Sequence, residues 1–136
     1  IDVEGKNASP ISSDSSKYER VKAILEQLTG VKESGPKTGY AAFAPTIEIF
    51  LKEHLFADIF ERDILTYQER ELVTISILSS LGNVDPMLQS HLNICLKQGI
   101  EPIQLQDFAK IITNTLGRKS GKHTLKIINE VISIKN

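Results

Sequence analysis

Two residues of chemically useful type lie on neighbouring predicted helices of this chain. Glu71 comes directly before an uncharged run, residues 72–84, and His91 lies in the apolar stripe of the next helix. The N-terminal end of a helix stabilises a carboxylate, and imidazole is a common general acid or base. The pattern indicates a proton-transfer pair at the edge of a dry core. The alternatives are an ion pair of Glu71 with an arginine and a hydrogen-bonded core histidine.

Three further residues are candidates for binding a substrate. Arg62 and Arg70 can each hold a carboxylate through the two-pronged guanidinium group, although an arginine near a helix start is commonly only solvated. His54 follows Phe50 by one turn on an apolar face, which fits either the same pocket or a core or interface position. His123 is expected at the surface. The histidines do not form a metal-ligand pattern such as HExxH, so no metal or other cofactor is predicted.

Cys95 is the only cysteine of the chain. It lies in the second half of its predicted helix, where the helix dipole disfavours a thiolate. We therefore expect a small buried hydrophobic side chain. A single cysteine also excludes an intramolecular disulfide, which fits the cytoplasm. Because the sequence begins with Ile rather than Met, an exported form stays open.

Length and charge favour one globular domain. The chain has 136 residues and a net charge of −1, without a basic block or a long apolar run. These features predict neither nucleic-acid binding nor a membrane-spanning helix. Residues 1–15 are polar and without periodicity, and we expect a flexible arm there. Residues 16–136 are predicted to form the single domain.

Helical periodicity and capping signals predict an all-α fold of about six helices. Capping boxes occur at residues 16–19 and 66–69, and no stretch has the alternation of a strand. The segment 31–43 contains glycine and proline and is predicted to be a loop, and Asp85 is predicted to cap a helix. The predicted helices span residues 16–30, 45–57, 66–82, 85–98, 101–117 and 119–134, with a helix end or short turn within 55–66.

The central predicted helix carries no charge after Glu71 over most of its length. A helix that is apolar or small nearly all round is expected to be buried on all sides. Neighbouring helices of one small chain do not offer enough surface to cover it. We therefore expect a homo-oligomer in which part of this surface is buried between subunits.

Three ordered segments resemble the carboxymuconolactone decarboxylase family, within the alkylhydroperoxidase D-like all-α fold. They are HLFADIFERDILT at 54–66, RELVTISILSSLG at 70–82 and LQSHLNICLKQGIEPIQL at 88–105. The resemblance implies compact helical subunits that assemble as homotrimers or homohexamers. It also implies cofactor-free decarboxylation of a small carboxylated lactone, with His91 as the proton carrier, Glu71 as its partner and an arginine on the substrate carboxylate.

The sequence departs from this family in two places. The peroxidase branch carries CxxC before the histidine, whereas Val84 and Met87 stand at those positions here. The turn before the last helix reads GRKSGK and lacks the Gly-Pro of the family. A thiol-dependent peroxidase is therefore the disfavoured alternative, and a non-catalytic oligomeric module that binds a small molecule is the third.

Overall fold

The structure, a computed structural model, describes residues 4–11 and 14–134, and within these ranges all regular secondary structure is helical. The predicted all-α class is confirmed. The chain divides into two compact units, residues 1–66 and 67–136. In the described part of the chain, none of the helices combines the length and the apolar character needed to cross a bilayer. The helices are α1 Lys17–Thr29, α2 Gly39–Phe43, α3 Pro45–Phe50, a π-helix Leu51–Phe60, α4 Tyr67–Leu81, α5 Asp85–Lys97, α6 Pro102–Leu116 and α7 Arg118–Ile134.

In the first unit, α1 packs against the π-helix. The hydroxyl of Ser16 accepts a hydrogen bond from the Glu19 backbone N–H at 3.3 Å, which caps the start of α1 as predicted. Gly30 ends the helix in the left-handed region, with φ 66°, where a residue without a Cβ carries no steric penalty. The first predicted helix is therefore confirmed at both ends.

A buried ionic network stabilises the same unit. Lys52 and Glu48 are 4% and 1% exposed and form an ion pair. Glu33 also binds the Lys52 ammonium, at 2.6 Å, and Lys37 binds Glu48. Burial by itself lowers the pKa of Lys52, but the hydrogen bonds that its ammonium donates to the carboxylates of Glu33 and Glu48 outweigh burial and leave the pKa raised. The charges are buried here because each has an opposite charge within hydrogen-bond distance.

Two predicted elements of the first unit differ in the structure. The predicted loop 31–43 contains the short helix α2, because the alanines after Gly39 favour a helical turn once the glycine and proline positions are passed. The predicted helix 45–57 continues to Phe60, and its second part is a π-helix. A π-helix has more residues per turn than an α-helix, so its apolar positions do not match the 3.6-residue period.

In the second unit, α4 packs against α5, and α7 packs against both α5 and α6. Glu101 and Gln104 form a reciprocal capping box at the start of α6, where Pro102 takes the first helical position. Val84, rather than Asp85, takes the capping position of α5, since the helix already begins at Asp85, whose side chain contacts His123. The fully or nearly buried core residues include Ile75, Leu78, Leu88, Leu92, Cys95, Leu105, Ile112, Ile128 and Val131.

The prediction that α4 is buried on all sides is wrong for the single chain. Its buried residues are Glu71, Ile75 and Leu78, which lie on one face. Val73 and Ile77 are each 54% exposed on another face. The other helices of this unit cover only one face of α4. The apolar side chains on its other faces are exposed to solvent. Burial of this surface between subunits stays a prediction.

Gly121 permits a close approach between α6 and α7. A Cβ built on Gly121 would lie 1.8 Å from the Thr113 Oγ1 atom and 2.7 Å from its Cα atom. Real Cβ atoms do not make contacts this short, so no other residue fits without a shift of the helices. Glycine has a low helix propensity, so it is unfavourable in the first turn of α7. Gly121 instead contributes by letting α7 pack closely against α6.

We predict that Gly121→Ala destabilises the protein by about 1–3 kcal/mol, because one helix must move away from the other. The measurement is equilibrium unfolding in denaturant. Lys122→Ala, one residue further along at an exposed position, is the matched control and should leave the midpoint nearly unchanged. Thr113→Gly should not rescue Gly121→Ala fully, because the Cα of residue 113 also obstructs the new methyl group. Equal midpoints for Gly121→Ala and the parent would contradict the close approach.

Candidate active site

Glu71 and His91 meet at the contact between α4 and α5. The Nδ1 atom of His91 lies 2.8 Å from Oε2 of Glu71. The Glu71 side chain is 1% exposed and the His91 side chain 27% exposed. The carboxylate is therefore shielded from water behind the imidazole, which itself remains accessible.

The local sequence brings the two side chains together. Gly82 and Asn83 both adopt positive φ, 68° and 56°, and reverse the chain between the helices. The Gln68 side-chain amide donates to the backbone carbonyl of Gln98 at 2.5 Å. The first turn of α4 therefore lies beside the last turn of α5, and the two helices run in opposite directions. Glu71, one turn after Gln68, then faces the middle of α5.

The hydrogen bond assigns different roles to the two ring nitrogens of His91. When Glu71 is ionised, its carboxylate can only accept a hydrogen bond, and Nδ1 of His91 is then the donor. The other nitrogen, Nε2, has no hydrogen bond to any residue that the structure describes. The arrangement fixes the ring and leaves Nε2 as the atom that can exchange a proton with a bound molecule.

Cys95 lies one turn after His91 on α5 and is fully buried. Burial, with a further contribution from the negative charge of Glu71, raises the pKa of the Cys95 thiol to about 12. A thiol of this kind is neutral and unreactive at physiological pH. The prediction of a buried, unactivated cysteine is confirmed, and the proximity of the Glu71 charge is an additional reason that the sequence did not reveal.

The structure places the predicted substrate-binding residues in different units. Arg70 directly precedes Glu71 in the second unit and is half-buried. Arg62 and His54 belong to the first unit, where both are exposed. His54 packs its ring against Phe50, with centroids 5.2 Å apart, and its Nδ1 atom lies 3.4 Å from Asp58. His54 is thus not a core residue of the chain, and a substrate-binding role for these three residues stays a prediction.

A second imidazole–carboxylate pair of the 67–136 unit was not anticipated from the sequence. The Nε2 atom of His123 on α7 lies 2.8 Å from Oδ1 of Asp85, at the start of α5. Both side chains are about two-fifths exposed. The two residues are 38 positions apart, and no spacing rule relates them. Because its carboxylate is open to water, this pair lacks the shielding that distinguishes Glu71 and His91.

The helical architecture and the shielded pair define an all-α protein with a carboxylate–imidazole site at a helix–helix contact. The model of the carboxymuconolactone decarboxylase family matches residues 45–129, which is more than half of the chain. The chain therefore belongs to the carboxymuconolactone decarboxylase family, as the sequence resemblance predicted. The match covers both Glu71 and His91. No curated protein sequence matches the chain significantly.

We predict that Cys95 resists alkylation in the folded protein. Alkylation proceeds through the thiolate, which burial and the Glu71 charge suppress. Iodoacetamide at pH 8 should react at least ~100-fold more slowly with the native chain than with the unfolded chain.

The control is Cys95→Ala combined with Ser90→Cys, which moves the only thiol to an exposed position on the same helix. Rapid alkylation of that variant shows that the reagent and the pH are adequate. Equal rates for native Cys95 and the exposed thiol would contradict the assignment and would favour thiol chemistry.

Proposed function

We propose that this protein catalyses cofactor-free decarboxylation, or a related proton transfer, on a small carboxylated lactone. The observation that carries the proposal is the hydrogen bond of the accessible His91 imidazole to the buried Glu71 carboxylate. Membership of the carboxymuconolactone decarboxylase family supports the reaction class. The substrate and the chemical steps below belong to the proposal.

In the proposed reaction, the bond between the substrate carbon and its carboxylate breaks and carbon dioxide leaves. The electron pair of that bond moves into the conjugated carbonyl system and gives an enolate. Protonated His91 then transfers the proton from Nε2 to carbon, which completes the exchange of carbon dioxide for a proton. Water returns a proton to the neutral ring, so no oxidant, reductant or metal is consumed in the cycle.

Glu71 is proposed to act through His91 as a positioning residue. Its carboxylate holds Nδ1 of His91, which directs Nε2 away from Glu71. Because Glu71 is shielded, this interaction needs little reorganisation of water during the reaction.

The substrate carboxylate requires a cationic partner until carbon dioxide leaves. Arg70 is the candidate in the second unit because it directly precedes Glu71 in α4. A guanidinium holds a carboxylate in a fixed plane through two hydrogen bonds, which is the orientation that bond cleavage needs.

A thiol peroxidase is less well supported, because the single thiol is buried and its pKa is raised. A resolving cysteine is also lacking, since the chain contains one cysteine. A non-catalytic module that binds a small molecule is the other alternative. It predicts that a lactone binds without turnover, and the experiment below distinguishes it from catalysis.

We predict that His91→Ala lowers turnover by ~10²–10⁴, because the proton donor is lost. The assay measures carbon dioxide release from 4-carboxymuconolactone and related carboxylated lactones, with deuterium incorporation from D₂O as the second readout. Since His91→Ala leaves the buried Glu71 carboxylate without its partner and destabilises the fold, His91→Gln is measured beside it. Its amide can donate to Glu71 but cannot deliver a proton, so turnover is lost while the fold is kept.

The matched control is His123→Ala, which removes the other histidine paired to a carboxylate in the same unit. It should leave turnover within a factor of about three of the parent. Undiminished turnover in folded His91→Gln would exclude His91 from the mechanism. Binding of the lactones without carbon dioxide release by the parent would favour the non-catalytic module.

A further inference from the structure

A hollow of about 300 Å³ lies between α6 and α7, at the surface of the second unit. It shares no lining residue with the pair of Glu71 and His91. We call it the α6–α7 hollow. Its main lining residues are Gln106, Ala109 and Lys110 on α6, and Lys122, Leu125 and Asn129 on α7.

The floor of the α6–α7 hollow is apolar. Gly121 brings α7 against Thr113, so that backbone and small side chains line its base. Ala109 is buried, and Leu125 is partly open to solvent at 38% exposure. The Thr113 hydroxyl donates to the backbone carbonyl of Ala109 and adds no unsatisfied polar group. The floor can therefore receive the hydrocarbon part of a ligand.

The rim of the α6–α7 hollow is cationic. Its only ionisable lining residues are two lysines, Lys110 and Lys122, one from each helix. Lys110 pairs with Asp107 at 2.7 Å, but both side chains are more than half exposed, and such a pair is weak. Lys122 forms no hydrogen bond or ion pair with any residue that the structure describes. The Gln106 and Asn129 amides supply further donors at the same rim.

From this combination we propose that the α6–α7 hollow binds a small organic carboxylate with an apolar body. The carboxylate lies between the two lysines, with the side-chain amides as additional donors, and the apolar body lies on Leu125 and Ala109. The site is independent of the proposed reaction, and its occupancy neither requires nor excludes turnover at His91.

A second hollow adjoins the α6–α7 hollow along α7 and carries charges of both signs. Its volume is about 530 Å³, and it shares Lys122, Leu125 and Asn129 with the first. Glu130 lines this second hollow and accepts a hydrogen bond from Gln89, and Lys126 lies 3.7 Å from it. Lys126 offsets the charge of Glu130 there, so the charges of the second hollow do not exclude a further carboxylate.

The experiment titrates the full chain with benzoate and follows the Gln106 and Asn129 side-chain amide signals by NMR. Acetate tests the need for an apolar body, benzyl alcohol tests the need for charge, and inorganic phosphate tests for a general anion site. We expect benzoate to shift both amide signals at lower concentration than the other three probes.

Two variants of α7 provide a charge-matched comparison. Lys122→Gln removes the unpaired rim cation and should raise the benzoate Kd about tenfold. Lys119→Gln removes the same charge from an exposed position of α7 outside the lining, and should leave the Kd unchanged. The proposal is overturned if benzoate does not shift these amides, if phosphate or acetate binds as well as benzoate, or if both variants weaken binding equally.

Discussion

The second unit depends on one constraint, namely that the buried Glu71 carboxylate needs a partner. A carboxylate that is 1% exposed is costly unless a donor satisfies it, and His91 supplies that donor across the contact of α4 with α5. This contact favours the packing of α4 against α5. The hydrogen bond from the Gln68 amide to the Gln98 carbonyl stabilises the same packing at one end of the two helices. The hydrogen bond that the fold requires is also the one that orients an imidazole toward solvent.

The negative charge of Glu71 affects the two reactive side chains of α5, His91 and Cys95, in different ways. For His91, the carboxylate holds the ring through Nδ1 and leaves Nε2 without a hydrogen bond to any residue that the structure describes. For Cys95 one turn away, burial and this negative charge raise the thiol pKa to about 12 and suppress the thiolate. A core arranged in this way opposes nucleophilic sulfur, and it is compatible with the acid–base role proposed for His91. The presence of Val84 and Met87 where the peroxidase branch carries its cysteines agrees with this physical reading.

Local signals in the sequence predicted most helix ends, because Ser16, Gly30 and Glu101 act within a few residues of the backbone groups that they satisfy. The π-helix after Phe50 was missed because its apolar side chains do not follow the α-helical period. The contact of Glu71 with His91 agrees with the predicted pair, since a short turn links their helices. The pair of His123 with Asp85 and the rim of the α6–α7 hollow depend on packing between distant segments, for which one sequence carries no signal.

The most direct test of the role assigned to Glu71 is the proton position on the neutral His91 ring, measured by ¹⁵N NMR of the imidazole with His54 and His123 replaced to simplify assignment. An ionised Glu71 requires a donor, so the proton should reside on Nδ1 in the parent. In Glu71→Leu it should move to Nε2, the form that a free imidazole prefers. A proton on Nε2 in the parent, or a position unaffected by Glu71→Leu, would contradict the account.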